Sequence, residues 1–427
     1  MRSRTIRGRW AATLAGVGGL LSGLLLATPP AAAAAACADL PAAHAHGITC
    51  KAVTDAVQSD GSILRDITMT TPAIFQPSGG TPQISPVNPE ITVRVYLPPG
   101  YDPDRTTGYR SLYLLNGGSD NYDSYTTKGD IVSLLRGTAQ DPQPYDGIVV
   151  MPTGGMSGWY TDWAGRTDGY FAPQWETYHI EQLLPWIDSN FNTSAVRASR
   201  GIAGISMGGF GALRYAARHS DLFSVAGALS PGIELRANLA QKQISDSMWQ
   251  AGAAITLLDW TNGKFRVNKY VDGVLVTNET EQKLYRLDAL FGQHTTTYDS
   301  VGNPVYNWPS SNPGQFAEDG GYAPYHQKLA LYAGGCAALP TTSDGSPQYA
   351  TGSNPAPASC AYSTANTDEP GLGAYASRLD ATLTSQGVQH RYCYGTAGHD
   401  WAAWKKDLVD FLHYAYGTAQ PTCNHGT

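Results

Sequence analysis

The sequence predicts an α/β fold, with a mostly parallel central sheet flanked by helices. One observation behind this prediction is that short, apolar, β-rich runs alternate with helical stretches through most of the 427 residues. Another is that one of these runs ends at a serine between two glycines, Gly204-Ile-Ser206-Met-Gly208, and a helical segment follows directly. A chain of this length can bury a large core around such a sheet.

The predicted elements are distributed along the whole of this region. The runs predicted as strands are Ile91 to Leu97, Ser111 to Leu115, Gly147 to Met151, Ile202 to Ile205, Val225 to Leu229, Leu329 to Ala333 and His390 to Tyr394. The stretches predicted as helices are Trp175 to Phe191, Gly209 to Arg218, Gly373 to Gln386 and Trp404 to Tyr414. We expect the functional residues on loops at the carboxyl ends of the strands, where sheets of this class bind ligands.

Residues 1–36 have the composition of a secretory signal peptide. Four arginines among the first nine residues are followed by an apolar segment, Ala11 to Ala27, and then by small residues. A retained transmembrane anchor is the alternative, but the apolar segment is short and rich in Gly and Ala. We therefore expect a secreted or cell-envelope protein without a stable membrane anchor.

The remainder divides into an N-terminal extension, an α/β catalytic domain and a tail. The extension, 37–89, is expected to be tied by a disulfide and ends in a loop rich in Pro, Gly and Ser. The catalytic domain is 90–417, with insertions at 232–324 and 336–366, and the tail is 418–427. The first insertion is rich in aromatic residues and is therefore expected to be folded.

The cysteines favour disulfides over metal binding. Their number is even, six, in a chain that we expect to be exported. Because short loops cost little to close, proximity suggests the pairs Cys37–Cys50, Cys336–Cys360 and Cys393–Cys423. None of them lies in the closely spaced pairs of ligands that zinc sites use, so we expect no metal and no cofactor.

Charge excludes some classes of partner. The net charge is −7 and the sequence has no run of Lys or Arg, which argues against nucleic acid or an anionic membrane as a partner. For the same reason we do not expect a polyanionic substrate.

Ser206 has the sequence surroundings of a catalytic nucleophile. In a strand–turn–helix elbow, the serine has a strained backbone, and the residues two positions away are small because two backbones pass closely. Gly204 and Gly208 meet this requirement. An ordinary Gly-Ser turn is the alternative, since the short motif also arises by chance, but the flanking strand and helix favour catalysis.

A serine nucleophile needs a base, and His399 is the candidate. It lies on a glycine-containing loop after the predicted strand that ends at Tyr394, from which its ring can reach towards Ser206.

The acid that orients this histidine is expected after the strand Leu329 to Ala333. Asp368 and Glu369 form the acidic cluster that lies just before the following helix. The residues alone leave a catalytic role and a structural role equally open, because these carboxylates could instead stabilise the N-terminus of that helix.

Six segments, taken together, are more specific than the serine motif. They are Ser111-Leu-Tyr-Leu-Leu-Asn-Gly-Gly118, Val150-Met-Pro-Thr-Gly-Gly155, Trp159-Tyr-Thr-Asp-Trp163, Trp175-Glu-Thr177, Gly204-Ile-Ser-Met-Gly208 and His399-Asp-Trp-Ala-Ala-Trp404. In these segments and their order, the chain resembles the antigen 85 mycolyltransferases and the wider esterase D group of α/β-hydrolases, from about Ile91 to Leu412.

The resemblance implies an α/β-hydrolase fold and a catalytic triad. Counting back from Gly387, the family's glutamate falls on Glu369, which would complete the triad with Ser206 and His399. The resemblance also implies an oxyanion hole formed by the backbone N–H groups of Gly118 and Met207.

Some positions depart from the mycolyltransferases, and others match them. That family has an aspartate where this chain has Asn116, and an arginine soon after, where this chain has Gly118-Ser-Asp-Asn121; in the family both help to bind trehalose. Trp401 and Trp404 match the family and either stack on a sugar or pack beneath the histidine loop. Asn116, Trp401 and Trp404 are therefore the candidate substrate-binding residues.

We predict a secreted serine carboxylic-ester hydrolase that acts on a small-molecule or lipid ester through an acyl-enzyme. The alternative is an acyltransferase of the mycolyltransferase or diacylglycerol acyltransferase type, with a sugar or glycerolipid alcohol as acceptor, because the same triad serves both reactions. A non-catalytic binding protein is a third interpretation, against which the complete Ser, Glu and His set argues.

Overall fold

A computed structural model describes residues 37–74, 90–137, 144–155, 157–165, 172–248, 269–272, 274–326, 328–336 and 368–417. All of them belong to the unit Ala34–Thr427. The strands, numbered in chain order, are β1 (Thr49–Val57), β2 (Ile63–Thr70), β3 (Ile91–Leu97), β4 (Arg110–Leu115), β5 (Gly147–Pro152), β6 (Arg200–Ile205), β7 (Val225–Leu229), β8 (Tyr270–Val271), β9 (Val274–Leu275), β10 (Thr295–Tyr298), β11 (Pro304–Asn307), β12 (Leu329–Ala333) and β13 (Arg391–Tyr394).

Nine of these strands form one sheet in the order β1-β2-β3-β5-β4-β6-β7-β12-β13. The six strands from β5 to β13 in this order run parallel. The strands β1, β2 and β3 pair in antiparallel fashion at one edge. The mostly parallel sheet predicted from the sequence is therefore confirmed, and so is the position of each predicted strand to within two residues at either end.

The helices are α1 (Ser124–Thr127), α2 (Ile131–Leu135), α3 (Leu184–Asn190), α4 (Met207–Arg218), α5 (Asn238–Met248), α6 (Glu279–Phe291), α7 (Pro313–Glu318), α8 (Asp368–Ser385) and α9 (Trp401–Tyr416). A π-helical segment, Thr177–Leu183, leads directly into α3. Side chains of α1, α2 and α9 pack on one face of the sheet, and those of α3, α4 and α8 pack on the other. The parallel strands are apolar on both sides because helices cover both faces.

The sheet extends further towards the N-terminus than the sequence predicts. The strands β1 and β2 lie within 37–89, which we expected to be an addition to the sheet, yet they form its antiparallel edge. Most side chains of β1 are partly or fully exposed, so the strand lacks the apolar run by which the others were identified.

The disulfide between Cys37 and Cys50 is present, which confirms the first predicted pair. Cys336 and Cys393 are also disulfide-bonded. The cysteines with which the sequence pairs them, Cys360 and Cys423, lie outside the described residues, as does most of the insertion 336–366.

The insertion 232–324 connects β7 with β12 and is folded in its described parts. It contains α5, α6, α7 and the two hairpins β8-β9 and β10-β11. Leu287, Leu290 and Trp308 are buried, so the aromatic and aliphatic residues of this insertion contribute to the core as expected. Within the described chain, no helix combines the length and apolarity needed to cross a lipid bilayer.

Candidate active site

Ser206 lies between β6 and α4, at the carboxyl edge of the sheet. Its backbone has φ 53° and ψ −116°, a region that side-chain-bearing residues seldom adopt. The conformation is held because the Ser206 N–H donates to the Leu229 carbonyl at 2.8 Å and the Ser206 carbonyl accepts from the Phe210 N–H at 3.0 Å. The serine therefore has the strained strand-to-helix turn expected of a nucleophile elbow.

The two glycines beside this serine are required by close packing of backbones. A Cβ on Gly204 would lie 2.2 Å from the Gly208 carbonyl oxygen. A Cβ on Gly208 would lie 2.1 Å from the Leu115 carbonyl oxygen and 2.8 Å from that of Asn116. The prediction that both positions must be small is confirmed.

His399 lies on the loop between β13 and α9, and its ring reaches the serine. The distance between His399 Nε2 and Ser206 Oγ is 2.9 Å, within hydrogen-bond reach for proton transfer. Both side chains are only partly buried, so a substrate can approach them. The structure thus brings together two residues that are 193 positions apart in the sequence.

Trp404 lies beneath the histidine and supports it. The rings of His399 and Trp404 meet edge to face with their centroids 4.9 Å apart. Trp404 is 6% exposed, and its indole N–H donates to the hydroxyl of Ser230 at 3.1 Å. This placement favours packing over sugar stacking, because neither the ring face nor the N–H of Trp404 is left for a substrate.

Trp401 is more accessible than Trp404. It is partly exposed and packs against Tyr125 and Trp404 in edge-to-face contacts. Its position one turn before Trp404 on α9 places it at the margin of the candidate site.

The predicted oxyanion-hole residues lie at the start of α4 and in the turn after β4. Met207 is the first residue of α4, and Gly118 lies in a turn closed by the Asp120 N–H donating to the Gly117 carbonyl at 3.2 Å. A Cβ on Gly117 would be 3.6 Å from Ser206 Cβ, so this turn passes beside the nucleophile. Neither the Met207 nor the Gly118 N–H donates to another described residue, so both are available to an oxyanion.

Asn116, the third candidate substrate-binding residue, is not at the surface. It is 1% exposed, and its amide is engaged on both sides by loops of the protein. These surroundings do not fit the predicted contact with a substrate.

A buried histidine, His179, contacts the loop after β5 through the Thr153 carbonyl. His179, on the π-helical segment, lies within hydrogen-bond reach of the Thr153 carbonyl at 2.9 Å and of the Tyr215 hydroxyl at 3.0 Å. Its ring stacks on Trp175, with the centroids 5.9 Å apart. Burial lowers the pKa of His179 to about 4, so the imidazole is neutral at physiological pH and serves packing and hydrogen bonding.

A buried carboxylate fastens the elbow helix. Glu176 accepts from Arg214 at 2.6 Å, from Arg218 at 2.9 Å and from His219 at 2.7 Å, all on or just after α4. Burial alone would raise its pKa, but the hydrogen bonds from these residues and the charge of Arg214 outweigh burial and lower it to about 2. The segment Trp175-Glu-Thr177 contributes to the family resemblance, but nothing in the sequence indicates this role of Glu176.

The predicted acid lies at the start of α8. The backbone of Asp368 and Glu369 forms the first turn of this helix, which begins at Asp368 rather than at Gly373. Their side chains are outside the described part of the structure, so the choice between them stays a prediction. Among the described residues, no group of three or more His, Cys, Asp or Glu is placed to hold a metal ion.

Comparison with known proteins shows what this part of the chain is similar to. Residues 85–285 match the Esterase family model, described as "Putative esterase". Over 147 residues the chain is 44% identical to Esterase Rv1288 of Mycobacterium tuberculosis (strain ATCC 25618 / H37Rv), an alignment that covers 34% of this chain and 30% of that protein. Over 151 residues it is 30% identical to the diacylglycerol acyltransferase/mycolyltransferase Ag85B of Mycobacterium leprae (strain TN), covering 34% of this chain and 43% of that protein.

A comparison with a solved structure extends the similarity over most of the chain. A ferulic acid esterase aligns with a TM-score of 0.50 and 16% identity, covering 83% of this chain and 97% of that one. At this identity the alignment reports on the fold alone, and it confirms the predicted α/β-hydrolase architecture.

The alignments to the two sequence relatives span less than half of each relative's length, so they show a shared region and not a shared whole protein. The residues that match the family model, 85–285, contain Ser206, the loop after β4 and the loop after β5. The matched part of this chain is similar to the antigen 85 and esterase group of α/β-hydrolases, which supports the resemblance seen in its sequence segments.

Proposed function

We propose that this protein is a serine esterase in which Ser206 is the nucleophile and His399 is the base. The observation that carries the proposal is the 2.9 Å contact between His399 Nε2 and Ser206 Oγ, made at a strained elbow on the carboxyl edge of the sheet. Both side chains are only partly buried, so this pair is accessible to an ester, unlike a serine packed in the core.

The reaction follows from the positions of these groups. As Ser206 Oγ attacks the ester carbonyl, His399 Nε2 takes its proton, and the N–H groups of Met207 and Gly118 stabilise the developing oxyanion, each contributing about 3 to 4 kcal/mol. The imidazolium then donates its proton to the departing alkoxide, which leaves as the alcohol. The acyl group remains bonded to Ser206.

The second half returns the enzyme to its starting state. His399 removes a proton from an acceptor, whose oxygen attacks the acyl carbonyl. The bond between the acyl carbon and Ser206 Oγ then breaks, the proton is returned to Oγ, and the product leaves as the free acid or, with an alcohol as acceptor, as a new ester. We propose Glu369 as the acid that orients the imidazole and stabilises its cation during both halves. This role rests on the family resemblance and on the position of Glu369 in the first turn of α8.

Water is the acceptor that the surroundings of the site favour. Asn116 has no freely available polar group, and Trp404 has no open ring face, so neither is available to bind a sugar hydroxyl. The arginine that the mycolyltransferases carry soon after this position is replaced by Gly118-Ser-Asp-Asn121.

Acyl transfer to an alcohol is the second candidate. The similarity to a protein named diacylglycerol acyltransferase/mycolyltransferase supports it, as does the partly exposed Trp401 at the margin of the site. In that case a sugar or glycerolipid alcohol would take the place of water in the second half of the reaction.

We also propose that the protein acts outside the cytoplasm, on a small-molecule or lipid ester. The sequence of residues 1–36 and the disulfide between Cys37 and Cys50 support export.

The nucleophile is tested with p-nitrophenyl esters of different chain length. We expect Ser206→Ala to abolish turnover and a fluorophosphonate probe to label Ser206. The matched control is Ser385→Ala, which removes an exposed hydroxyl that bonds only within α8 and should leave the rate unchanged. Labelling of a different serine, or turnover by Ser206→Ala, would contradict the assignment.

The acceptor is tested separately, by mass spectrometry of the products formed with and without trehalose or glycerol. Free acid should dominate in both conditions. Acylated trehalose or glycerol as the main product would favour the transferase instead.

A further inference from the structure

The side chain of Asn116 connects two loops of the candidate site. Its Oδ1 accepts from the Gly154 N–H at 2.8 Å, on the loop after β5. Its Nδ2 donates to the Gly117 carbonyl at 2.9 Å and to the Asp120 carbonyl at 3.2 Å, on the loop after β4. We call residues 117–120 the oxyanion loop, because they include Gly118.

The orientation of this amide follows from its partners. A backbone N–H can only donate and a carbonyl can only accept, so Oδ1 must face Gly154 and Nδ2 must face the oxyanion loop. The two donations from Nδ2 reach the residues at both ends of the turn. They therefore fix the curvature of the turn, which passes beside Ser206 at Gly117.

A second residue holds the amide from behind. The hydroxyl of Tyr160 lies 2.9 Å from the Asn116 carbonyl and 3.1 Å from its Oδ1. The carbonyl of Tyr160 in turn accepts from Arg214 on α4 at 3.1 Å. The oxyanion loop is thus connected to the helix that carries the other oxyanion donor, Met207.

We infer that Asn116 is a positioning residue, which keeps the two oxyanion donors at the spacing that an oxyanion requires, rather than a residue that binds substrate. This inference rests on the proposed esterase function. Only an amide satisfies these partners, since an aspartate would turn a second acceptor oxygen towards two carbonyl oxygens in a buried site. The loop therefore has a conformation that requires an amide at position 116, where the family has an aspartate.

The inference is tested with Asn116→Asp, which keeps the size of the side chain and removes both donors. We expect kcat for p-nitrophenyl esters to fall by about 10- to 100-fold, because oxyanion donors act mainly in the transition state, with KM changed by less than about threefold. Amide hydrogen exchange, read by mass spectrometry, should accelerate in the peptide that contains the oxyanion loop.

The matched control is Asn192→Asp. Asn192 Nδ2 also donates to two loop carbonyls, those of Arg105 at 2.6 Å and Asp102 at 3.4 Å, but next to the opposite, amino end of β4. We expect both variants to have a lower Tm, because each loses two hydrogen bonds to loop carbonyls. Only Asn116→Asp should also lower kcat, and Asn192→Asp should leave kcat unchanged.

Wild-type kcat in Asn116→Asp, or an equal fall of kcat in both variants, would overturn the inference. If the wild-type protein hydrolyses no ester, the proposed function fails, and the exchange data alone decide: unchanged exchange in the oxyanion loop then overturns the role of Asn116. If Asn116→Asp does not fold, Tyr160→Phe is measured in its place. It should lower kcat by about 3- to 10-fold with KM retained, and an unchanged kcat would count against the inference.

Discussion

Acidification should destabilise this protein through one carboxylate, Glu176. Its pKa is lowered from 4.5, the ordinary value for glutamate, to about 2 by the residues that surround it. A group with a lowered pKa in the folded state stabilises that state above its unfolded pKa, and the stabilisation is lost as pH falls towards the folded pKa. For these two pKa values the loss between pH 7 and pH 3 is about 2 kcal/mol, and it reaches about 3 kcal/mol at pH 2.

The measurement is urea denaturation at a series of pH values between 7 and 3, with the free energy of unfolding obtained by linear extrapolation. The matched variant is Glu176→Gln, which keeps the shape of the side chain and cannot ionise. Other carboxylates titrate equally in both proteins, so the difference between their curves isolates Glu176. The variant should be less stable at pH 7, because it leaves the buried Arg214 without its carboxylate partner.

The two curves should converge by about 2 kcal/mol as the pH falls from 7 to 3. Curves that stay parallel over this range would refute the reasoning, since they would mean that Glu176 has the same pKa in the folded and unfolded states.

Three further experiments, with five substitutions in all, test the site itself. Glu369→Gln should lower kcat by about a hundredfold or more, whereas Asp368→Asn should change it little; the reverse pattern would show that the helix register assigned from the resemblance is wrong. Trp404→Phe, which loses the hydrogen bond that holds the ring beneath the histidine, should lower kcat by about 3- to 10-fold, while Trp401→Phe should leave ester hydrolysis unchanged; equal effects would contradict the supporting role. Gly208→Ala should yield little folded protein by circular dichroism, because the new methyl group would overlap a carbonyl at the end of β4, and a stable, active variant would contradict that packing.

Much of the sheet was predictable because burial on both faces leaves a strong signal in the sequence. The parallel strands are almost continuously apolar, and the glycines around Ser206 are needed for backbone contact rather than for flexibility. The edge strands β1 and β2 were missed for the complementary reason. Most side chains of β1 are partly or fully exposed and five of the eight in β2 are partly exposed, so neither strand has the continuous apolar run that marks the parallel strands.

The roles of single polar residues were harder to predict. Asn116 was assigned to substrate because a family position suggested it, but its hydrogen-bond partners lie on the loops after β4 and β5, which only the fold brings together. Glu176 likewise meets its partners across about forty residues of sequence. Pairing of this kind leaves no local pattern in the sequence, because each of these polar residues is of a type that usually lies at the surface.

The long separation between Ser206 and His399 has a consequence for how activity is acquired during synthesis. Ribosomes add about 5 to 20 residues per second, so the serine emerges roughly 10 to 40 seconds before a histidine that is 193 residues later. During that interval the elbow can form without a base, and the nascent chain has a weakly reactive hydroxyl in place of an activated one. His399, the proposed base, emerges only with β13 and α9, so on the proposed mechanism ester cleavage would report that folding of the C-terminal end is complete.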